Sequence, residues 1–547
     1  MAATTAKHYF SKQCTFCLTS HLFHHNSKRV LLAKRFKSIS TKETASPIQR
    51  KESTAWKGVI GLEIHAQIAS ASKLFSGAGT HYGANTNSQV AFFDAALPGT
   101  LPVLNKKCVE AGVVTALALG CDINLISKFD RKHYFYADMP AGYQITQYRK
   151  PFAVNGQVTY VFQCSKTSSV ERRSAKLVQI QLEQDSGKSL HDPQGGLSLI
   201  DLNRAGIGLM EIVTAPDFVN GDDASSFVRD LRDILVTVGS CDGKMAEGSL
   251  RVDANISVHK PGEPLGTRTE VKNLNSLKSI RLAIDYEVRR QIQILESGGV
   301  IENETRSFDV EDNETVPMRE KEKILDYRFM PEPNLPPLVI HKDWSTTVAT
   351  RNAVVLEDIR SRVKDLPDDK RRCLEEQYQI TLRNAVIIVR ANLFDLFERL
   401  VNKHGCDPKV TSSVLRNVYS VFLNKLGVEA TSSPITDNIL SEVIELCQNR
   451  KISEASVTEI LDEIVKNPDA SCSDIINKKD LWMITDETVI NAVIDEVCGK
   501  NPSAIKGYKK GKTNQLEILS EKVKKKLKKK VSTAIVYRLL KMKLDDK

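Results

Sequence analysis

Val59-Ile-Gly-Leu-Glu-Ile-His-Ala-Gln-Ile68 alternates without a break: Ile60, Leu62, Ile64, Ala66 and Ile68 fall on one side, and Gly61, Glu63, His65 and Gln67 on the other. A period of two is the signature of a β-strand with one apolar face. The other face is unusual in what it carries. A strand needs no carboxylate beside an imidazole for its own stability. Side chains two residues apart project in parallel, so Glu63 and His65 form a pair able to share one cation.

The same habit recurs downstream. Val178, Ile180 and Leu182 are expected to face inward and Gln179, Gln181 and Glu183 outward. Leu250, Val252, Ala254 and Ile256 likewise face inward, with Ser249, Arg251, Asp253 and Asn255 outward, while Arg268, Glu270 and Lys272 share one side of a further strand. An antiparallel sheet with one wet face produces such alternation by itself. Wet faces ordinarily take Thr, Lys and Ser, whereas these concentrate Glu, His, Asp, Asn and Arg, which points to a shared polar site.

Helices are expected between the strands. Asn105 can cap one through Ala118 with a stop at Gly120; Asp222 or Asp223 opens a second, with Phe227, Leu231, Ile234 and Val238 on its stripe; a third runs from Ser276 to Gly298-Gly299. Pro331-Glu-Pro-Asn-Leu-Pro-Pro337 marks a domain edge, because proline-dense sequence continues neither a helix nor a central strand. Beyond it the periodicity is helical. Asn514 to Leu544 reads as a single helix with Leu516, Leu519, Val523, Leu527, Val531, Ile535 and Leu539 on a heptad-like stripe. The expected class is α+β: a sheet-bearing domain over 56–344, an all-α domain over 345–478 and a small, basic α-helical tail over 479–547.

No apolar run in the 547 residues approaches the length of about 20 that spans a bilayer. The eleven cysteines show no paired framework, which fits reduced thiols, and Cys14-x-x-Cys17 is half a metal motif without its other half. Residues 1–50 hold nine Lys/Arg against one Glu among Ser, Thr, Leu and Phe. Such sequence reads as an organellar transit peptide, mitochondria being the expected destination, or as a basic arm without order. Residues 506–547 hold fifteen Lys/Arg against four acids, so the body between these ends carries about −9 of a net +10. An acidic body suits cation and nucleotide chemistry, and a basic tail suits a polyanion. Within that tail, Lys522 to Lys530 is either a solvated helix face or a contact for nucleic-acid backbone.

Gly187-Lys-Ser189 ends like a phosphate-binding P-loop, but Leu182 stands where the pattern needs glycine. Dinucleotide fingerprints and Gly-x-Ser-x-Gly elbows are absent from the sequence. Lys128 to Gln147 interleaves Lys128, Arg131 and Lys132 with Tyr134, Phe135, Tyr136 and Tyr143. That tract suits a nucleotide end, with phosphates on cations and bases on rings, and equally suits aromatic core packing.

Nine tracts together resemble a known family over nearly the whole chain after the basic leader. They are Gly61-Leu-Glu-Ile-His-Ala-Gln67, Leu97-Pro-Gly-Thr-Leu-Pro-Val-Leu-Asn105, Lys128 to Gln147, Leu182-Glu-Gln-Asp-Ser-Gly-Lys188, Asp201-Leu-Asn-Arg204, Met210-Glu-Ile-Val-Thr-Ala-Pro-Asp217, Glu247 to Ser257, Glu270-Val-Lys-Asn-Leu-Asn-Ser276 and Asp326-Tyr-Arg-Phe-Met-Pro-Glu-Pro333. This is similar to the B subunits of the glutamyl-tRNA(Gln) amidotransferases, in their mitochondrial form. The resemblance implies a carbon–nitrogen ligase in the mitochondrial matrix, working in a heterotrimer with an amidase (glutaminase) partner, the A chain of such complexes, and a small third partner, their C chain. The amidase would release ammonia from glutamine, and this chain would bind misacylated Glu-tRNA(Gln), phosphorylate the glutamyl side chain with ATP and let ammonia displace phosphate. It also implies that the first domain is a cradle whose antiparallel sheet is related to glutamine synthetase.

For that chemistry Mg²⁺ needs oxygen ligands and tolerates an imidazole, so Glu63, His65, Glu183 and Glu247 are the expected metal ligands. Glu63, His65, Glu183 and Arg251 are the expected catalytic set, and Arg204, Arg251 and Lys272 the expected contacts to ATP phosphates. Lys128, Arg131, Tyr136 and Tyr143 are expected to receive the acceptor end of the tRNA, and Lys524 and Lys528 its backbone. Many family members carry cysteine pairs where this chain has Ser76-Gly-Ala-Gly79 and Ala91-Phe-Phe-Asp94, so no zinc is expected.

Overall fold

The computed structural model describes residues 56–545 except 166, 168, 193, 319–327, 347–352 and 364. The basic leader over 1–50, with Cys14 and Cys17, lies outside the described residues.

Among the described residues sixteen strands occur in order: β1 (Lys57–Gln67), β2 (Asp122–Ile123), β3 (Ile126–Ser127), β4 (Asp130–His133), β5 (Tyr143–Thr146), β6 (Ala153–Gln163), β7 (Val170–Gln184), β8 (Lys188–Asp192), β9 (Leu197–Asp201), β10 (Gly208–Thr214), β11 (Leu250–His259), β12 (Thr269–Leu274), β13 (Thr305–Asp309), β14 (Glu314–Pro317), β15 (Phe329–Pro331) and β16 (Leu338–Val339). Nine form one sheet in the order β14-β13-β12-β11-β1-β10-β7-β6-β2, antiparallel throughout except for the β12–β13 pair. A small sheet β15-β4-β5 lies against β7, and β8–β9 is a separate hairpin.

The alternation of β1 is observed: Ile60, Leu62, Ile64 and Ala66 are buried, and register puts Glu63 opposite Val213 and Asp253, and His65 opposite Glu211 and Arg251. On β11, Leu250, Val252, Ala254 and Ile256 are fully buried. On β7 the expectation holds for Ile180 and Leu182 and fails for Val178, which is 49 % exposed. Against β10 the register shifts by one at Val178, while against β6 it runs on unshifted past Asn155, which takes φ 56°, and the inward set changes there from Ala175 and Leu177 to Ile180 and Leu182. One extra residue at a bulge inverts the facing of everything beyond it.

Three helices cover the apolar face: α1 (Lys106–Ala118), α2 (Gly221–Thr237) and α3 (Leu277–Glu296). Asn105 caps α1 through Lys107 N–H and Ser276 caps α3 through Ser279 N–H, as expected. The cap of α2 is Asn220, two residues before the expected start, and its side chain accepts from Asp223 N–H. A carboxamide there satisfies an orphan amide and leaves Asp222 and Asp223 in the first turn, where the helix dipole favours them.

The described residues hold three apolar clusters. The first surrounds the sheet and extends to Ile359, past the proline-rich tract; the second runs from Leu374 to Leu481; the third from Ile490 to Leu544. Helix α4 (Leu356–Arg360) packs into the first, and α5 (Pro367–Glu376) and α6 (Leu382–Arg390) lead into the second. The seam is an ion-pair network. Arg371 of α5 donates to both oxygens of Asp230 on α2 at 2.7 and 3.1 Å, Arg390 of α6 adds a third bond at 2.9 Å, and Val161 N–H of β6 a fourth at 2.8 Å.

The single terminal helix expected over 514–544 is two: Asn514–Lys526 and Thr533–Asp545, with Lys528 and Lys529 at φ 50° and 59° between them. An unbroken helix of that length would extend about 46 Å and leave most of its stripe uncovered. Doubling back puts Leu516, Leu519 and Val523 into one cluster with Val536, Leu539 and Leu540.

Candidate active site

The polar face of the sheet gathers side chains from five adjacent strands: Gln179, Gln181 and Glu183 on β7, Glu211 on β10, Glu63 and His65 on β1, Arg251, Asp253 and Asn255 on β11, and Glu270 and Lys272 on β12. Because the strands are antiparallel and in register, residues far apart in sequence arrive side by side.

At its centre stands a triad. His65 Nδ1 lies 3.2 Å from Glu183 Oε1, and single donor atoms of His65, Glu183 and Glu211 all fall within 4.8 Å of one another. Thr146 of β5 donates to Glu183 at 3.3 Å, and Gln181 donates to Glu211 at 2.8 Å. Burial opposes the charge on His65, but the carboxylate of Glu183, with Glu211 and Asp253 behind it, lifts the imidazole to about 9. Burial also works against charge on Glu183, and the His65 partner outweighs it and holds that carboxyl low. Glu211 goes the other way: burial and then the charge of Glu183 push its carboxyl up. Two acids and an imidazole packed so closely hold protons that a divalent cation would displace.

Of the four residues expected to ligate a metal, His65 and Glu183 belong to this triad. Glu63 sits one position along the same face and accepts from Asn255 Nδ2 at 2.9 Å. Glu247 does not join them. It ends a short 3₁₀ turn, Met245–Glu247, before β11 and pairs with Lys244 at 3.1 Å. The turn carries it off the strand whose alternation would have aimed it at the face. Glu211 is the acid that the sequence did not single out: it stands alone between Met210 and Ile212 in an apolar strand, and only its register to His65 identifies it.

Beside the triad, Arg251 donates to Asp185 at 2.8 Å, and among the described residues its buried Nε has no hydrogen-bond partner. Arg204 lies in the turn between β9 and β10 rather than on a strand. It donates to the carbonyls of Ser186 at 2.9 Å and Gly187 at 2.6 Å and approaches Asp185 at 3.5 Å. Lys272 lies 3.2 Å from Glu270 and 3.9 Å from Asp253. Lys132 of β4 is a further cation at this site, its charge lowering both Glu183 and Glu211.

The aromatic tract divides. Arg131 makes a bidentate pair with Glu332 at 2.6 and 3.0 Å and lies 4.2 Å from the centre of the Tyr143 ring, so those two residues brace β4 against β5 and β15. Phe135, Tyr136 and Lys128 are exposed. In the tail, Lys524 pairs with Glu521 while Lys528 is exposed at the break between the last helices.

The sequence pattern of the GatB/GatE catalytic domain matches residues 58–346, and that of the GatB domain matches 395–544. The chain is 45 % identical over 488 residues to the mitochondrial B subunit of glutamyl-tRNA(Gln) amidotransferase from Danio rerio, covering 88 % of each chain. It is 44 % identical over 499 residues to the Homo sapiens protein of the same name, covering 90 % of each. To the B subunit of the aspartyl/glutamyl-tRNA(Asn/Gln) amidotransferase of Rickettsia felis it is 43 % identical over 494 residues, covering 90 % of this chain and 98 % of that one. With a mixed α+β architecture, matches to both regions and this degree of identity over nearly the full length, the chain belongs to the family of glutamyl-tRNA(Gln) amidotransferase B subunits, on its mitochondrial side.

Proposed function

We propose that this chain carries the kinase and amidation site of a mitochondrial glutamyl-tRNA(Gln) amidotransferase. The observation that carries the reading is the convergence of His65, Glu183 and Glu211 beside Arg251 on one polar sheet face. The γ-carboxylate of a tRNA-bound glutamate is a poor electrophile. One of its oxygens attacks the γ-phosphorus of ATP, giving an acyl phosphate and ADP; the nitrogen of ammonia then adds to the acyl carbon, and phosphate leaves with the C–O bonding pair.

An imidazole and two carboxylates suit Mg²⁺, with His65, Glu183 and Glu211 as its holders and Glu63 adjacent. When bound, the ion supplies charge neutralisation at phosphate oxygens. Arg251 and Lys272 offer cations for the same phosphates. Arg204, already engaged by two carbonyls, shapes the turn that places Asp185.

The antiparallel sheet, with carboxylates on one face and helices on the other, supports kinship with glutamine synthetase. The division into a cradle over 56–344, a helical domain over 345–478 and a tRNA-binding tail over 479–547 belongs to the same reading. So do an amidase partner that delivers ammonia, a small third partner, and contacts of Lys128, Tyr136, Lys524 and Lys528 with Glu-tRNA(Gln). Among the described residues no helix is long and apolar enough to cross a membrane. Reconstituted complex supplied with ammonium chloride in place of glutamine tests the site directly: Glu183→Gln is expected to abolish formation of Gln-tRNA(Gln), and unchanged amidation would overturn the assignment.

A further inference from the structure

The helix-covered side of the sheet holds a second polar recess, a cavity of about 450 Å³ between the start of α2, the start of α3 and the end of β6. Its charge is lopsided. Arg229, Lys278 and Arg281 line it, against the one carboxylate of Asp222. That carboxylate is already engaged, accepting from Ser165 N–H at 3.0 Å and from Ser165 Oγ at 2.8 Å.

The arginines here differ from their neighbours. On the same helix Arg232 pairs with Asp233, while Arg371 and Arg390 take Asp230. Arg229 and Arg281 are half-buried, and among the described residues neither has an ion-pair or hydrogen-bond partner. The carboxylates nearest them are shared: Asp230 and Asp233, beside Arg229, pair with Arg371, Arg390 and Arg232, and Asp285, one turn along α3 from Arg281, accepts from Gly221 N–H at 2.8 Å. Burial and the charge of Arg390 hold the Arg229 guanidinium below its usual range. A half-buried cation that closes no ion pair of its own, with only a shared carboxylate nearby, gains from an anion supplied from outside.

The backbone adds to the same field. The twenty-residue helix α3 begins at this recess, and Ser276 caps only Ser279 N–H, so the positive end of a long dipole faces the cavity. Ser226 Oγ accepts from Gln163 N–H at 3.3 Å and keeps its hydrogen to donate. Two guanidinium forks, an ammonium, a hydroxyl and a helix N-terminus offer more donors than the two oxygens of a carboxylate can use, and they suit the several oxygens of a phosphate.

We propose that this recess binds a phosphate group, on the face of the sheet opposite His65, Glu183 and Glu211. Its volume is well beyond that of bare phosphate, so the ligand is a phosphate with a substituent: a backbone phosphate of RNA or a phosphorylated small molecule. Both sources share the chemistry, and experiment separates them.

The test uses the full chain. Inorganic phosphate, compared with chloride at matched ionic strength, is expected to raise the melting temperature of the wild type and of R251Q, which weakens the phosphate contacts of the opposite face, and to leave R229Q/R281Q in the R251Q background unmoved. R229K/R281K keeps the charge and is expected to retain part of the shift. In parallel, the dependence of tRNA affinity on salt is measured. A fall of about 1–2 in the slope of log K against log[salt] for R229Q/R281Q assigns the site to RNA backbone. An unchanged slope with a lost phosphate shift assigns it to a phosphorylated small molecule. Retention of the full phosphate shift in R229Q/R281Q, or its loss in the lysine pair as complete as in the glutamine pair, overturns the proposal.

Discussion

His65 and Glu183 meet at 3.2 Å although they sit on strands that are not neighbours: β10 runs between β1 and β7, and Glu211 from that middle strand completes the group. The imidazole is held up at about 9 against the cost of its burial, chiefly by Glu183. Glu183→Gln is therefore expected to drop the His65 pKa towards its ordinary value, followed by ¹H–¹⁵N NMR of the ring. The same change should lower ammonia-dependent amidation about 10²-fold or more. A His65 titration that does not move would show that the pair is not electrostatically coupled.

Metal binding should be proton-linked. In the free site His65 and Glu211 both hold their protons more tightly than usual, and a cation must displace them. Affinity for Mn²⁺, as a probe for Mg²⁺, is expected to rise with pH up to about 9 and then level. Calorimetry in two buffers of different ionisation heat measures the protons released; none released would contradict the expectation.

Acid stability has a separate source in Glu287. Burial disfavours its charge, but Arg290, Gln291 and Thr315 donate to it and hold the carboxyl at about 2 instead of 4.5. A folded-state pKa below the unfolded one contributes stability that is present above the unfolded value and lost as pH falls through the folded one. Glu287→Gln should cost about 3 kcal/mol at neutral pH and progressively less between pH 4.5 and 2, read from urea denaturation at each pH.

Asp230 is the hub on which the sheet region and the helices beyond it are fastened. Arg371→Ala leaves a buried carboxylate with one fewer cation, and a loss of about 3–5 kcal/mol is expected. Arg371→Met with Asp230→Asn removes both charges and should recover part of that loss. A double variant no better than Arg371→Ala would mean that packing, not charge, holds the seam.

The doubled-back tail concentrates lysines at its turn. Lys524→Ala with Lys528→Ala is expected to weaken tRNA binding and to reduce its salt slope by about 1–2, with unchanged stability. An identical slope would remove these residues from the tRNA surface.

Much of this site could be read from alternation alone. Glu63, His65, Glu183 and Arg251 are visible because each fills the polar side of a strict apolar alternation with a residue costly for an ordinary wet face, and the sheet brings them to one face. Glu211 escaped because a lone acid in an apolar strand has no local pattern; its meaning lies in register, a property of two strands and not one. Glu247 misled because a 3₁₀ turn precedes β11 and ends the alternation early. Val178 points outward because a bulge depends on the partner strands. The terminal helix divides because its stripe is satisfied only when folded on itself. Local caps such as Asn105 and Ser276 were legible, since a helix start is decided within four residues.

The position of β1 in the sheet has a consequence for how the chain is made. It is the first strand among the described residues, yet it lies inside the sheet, and Glu63 pairs with Val213 and Asp253, 150 and 190 positions later. During synthesis its apolar row has no native neighbour on either side until those segments emerge. Through that interval Ile60, Leu62 and Ile64 lack their native cover, and a nascent chain arrested before Leu250 presents an aggregation-prone strand. The three-strand origin of the His65–Glu183–Glu211 group then acts as a checkpoint: these side chains meet only in a chain that has closed its sheet.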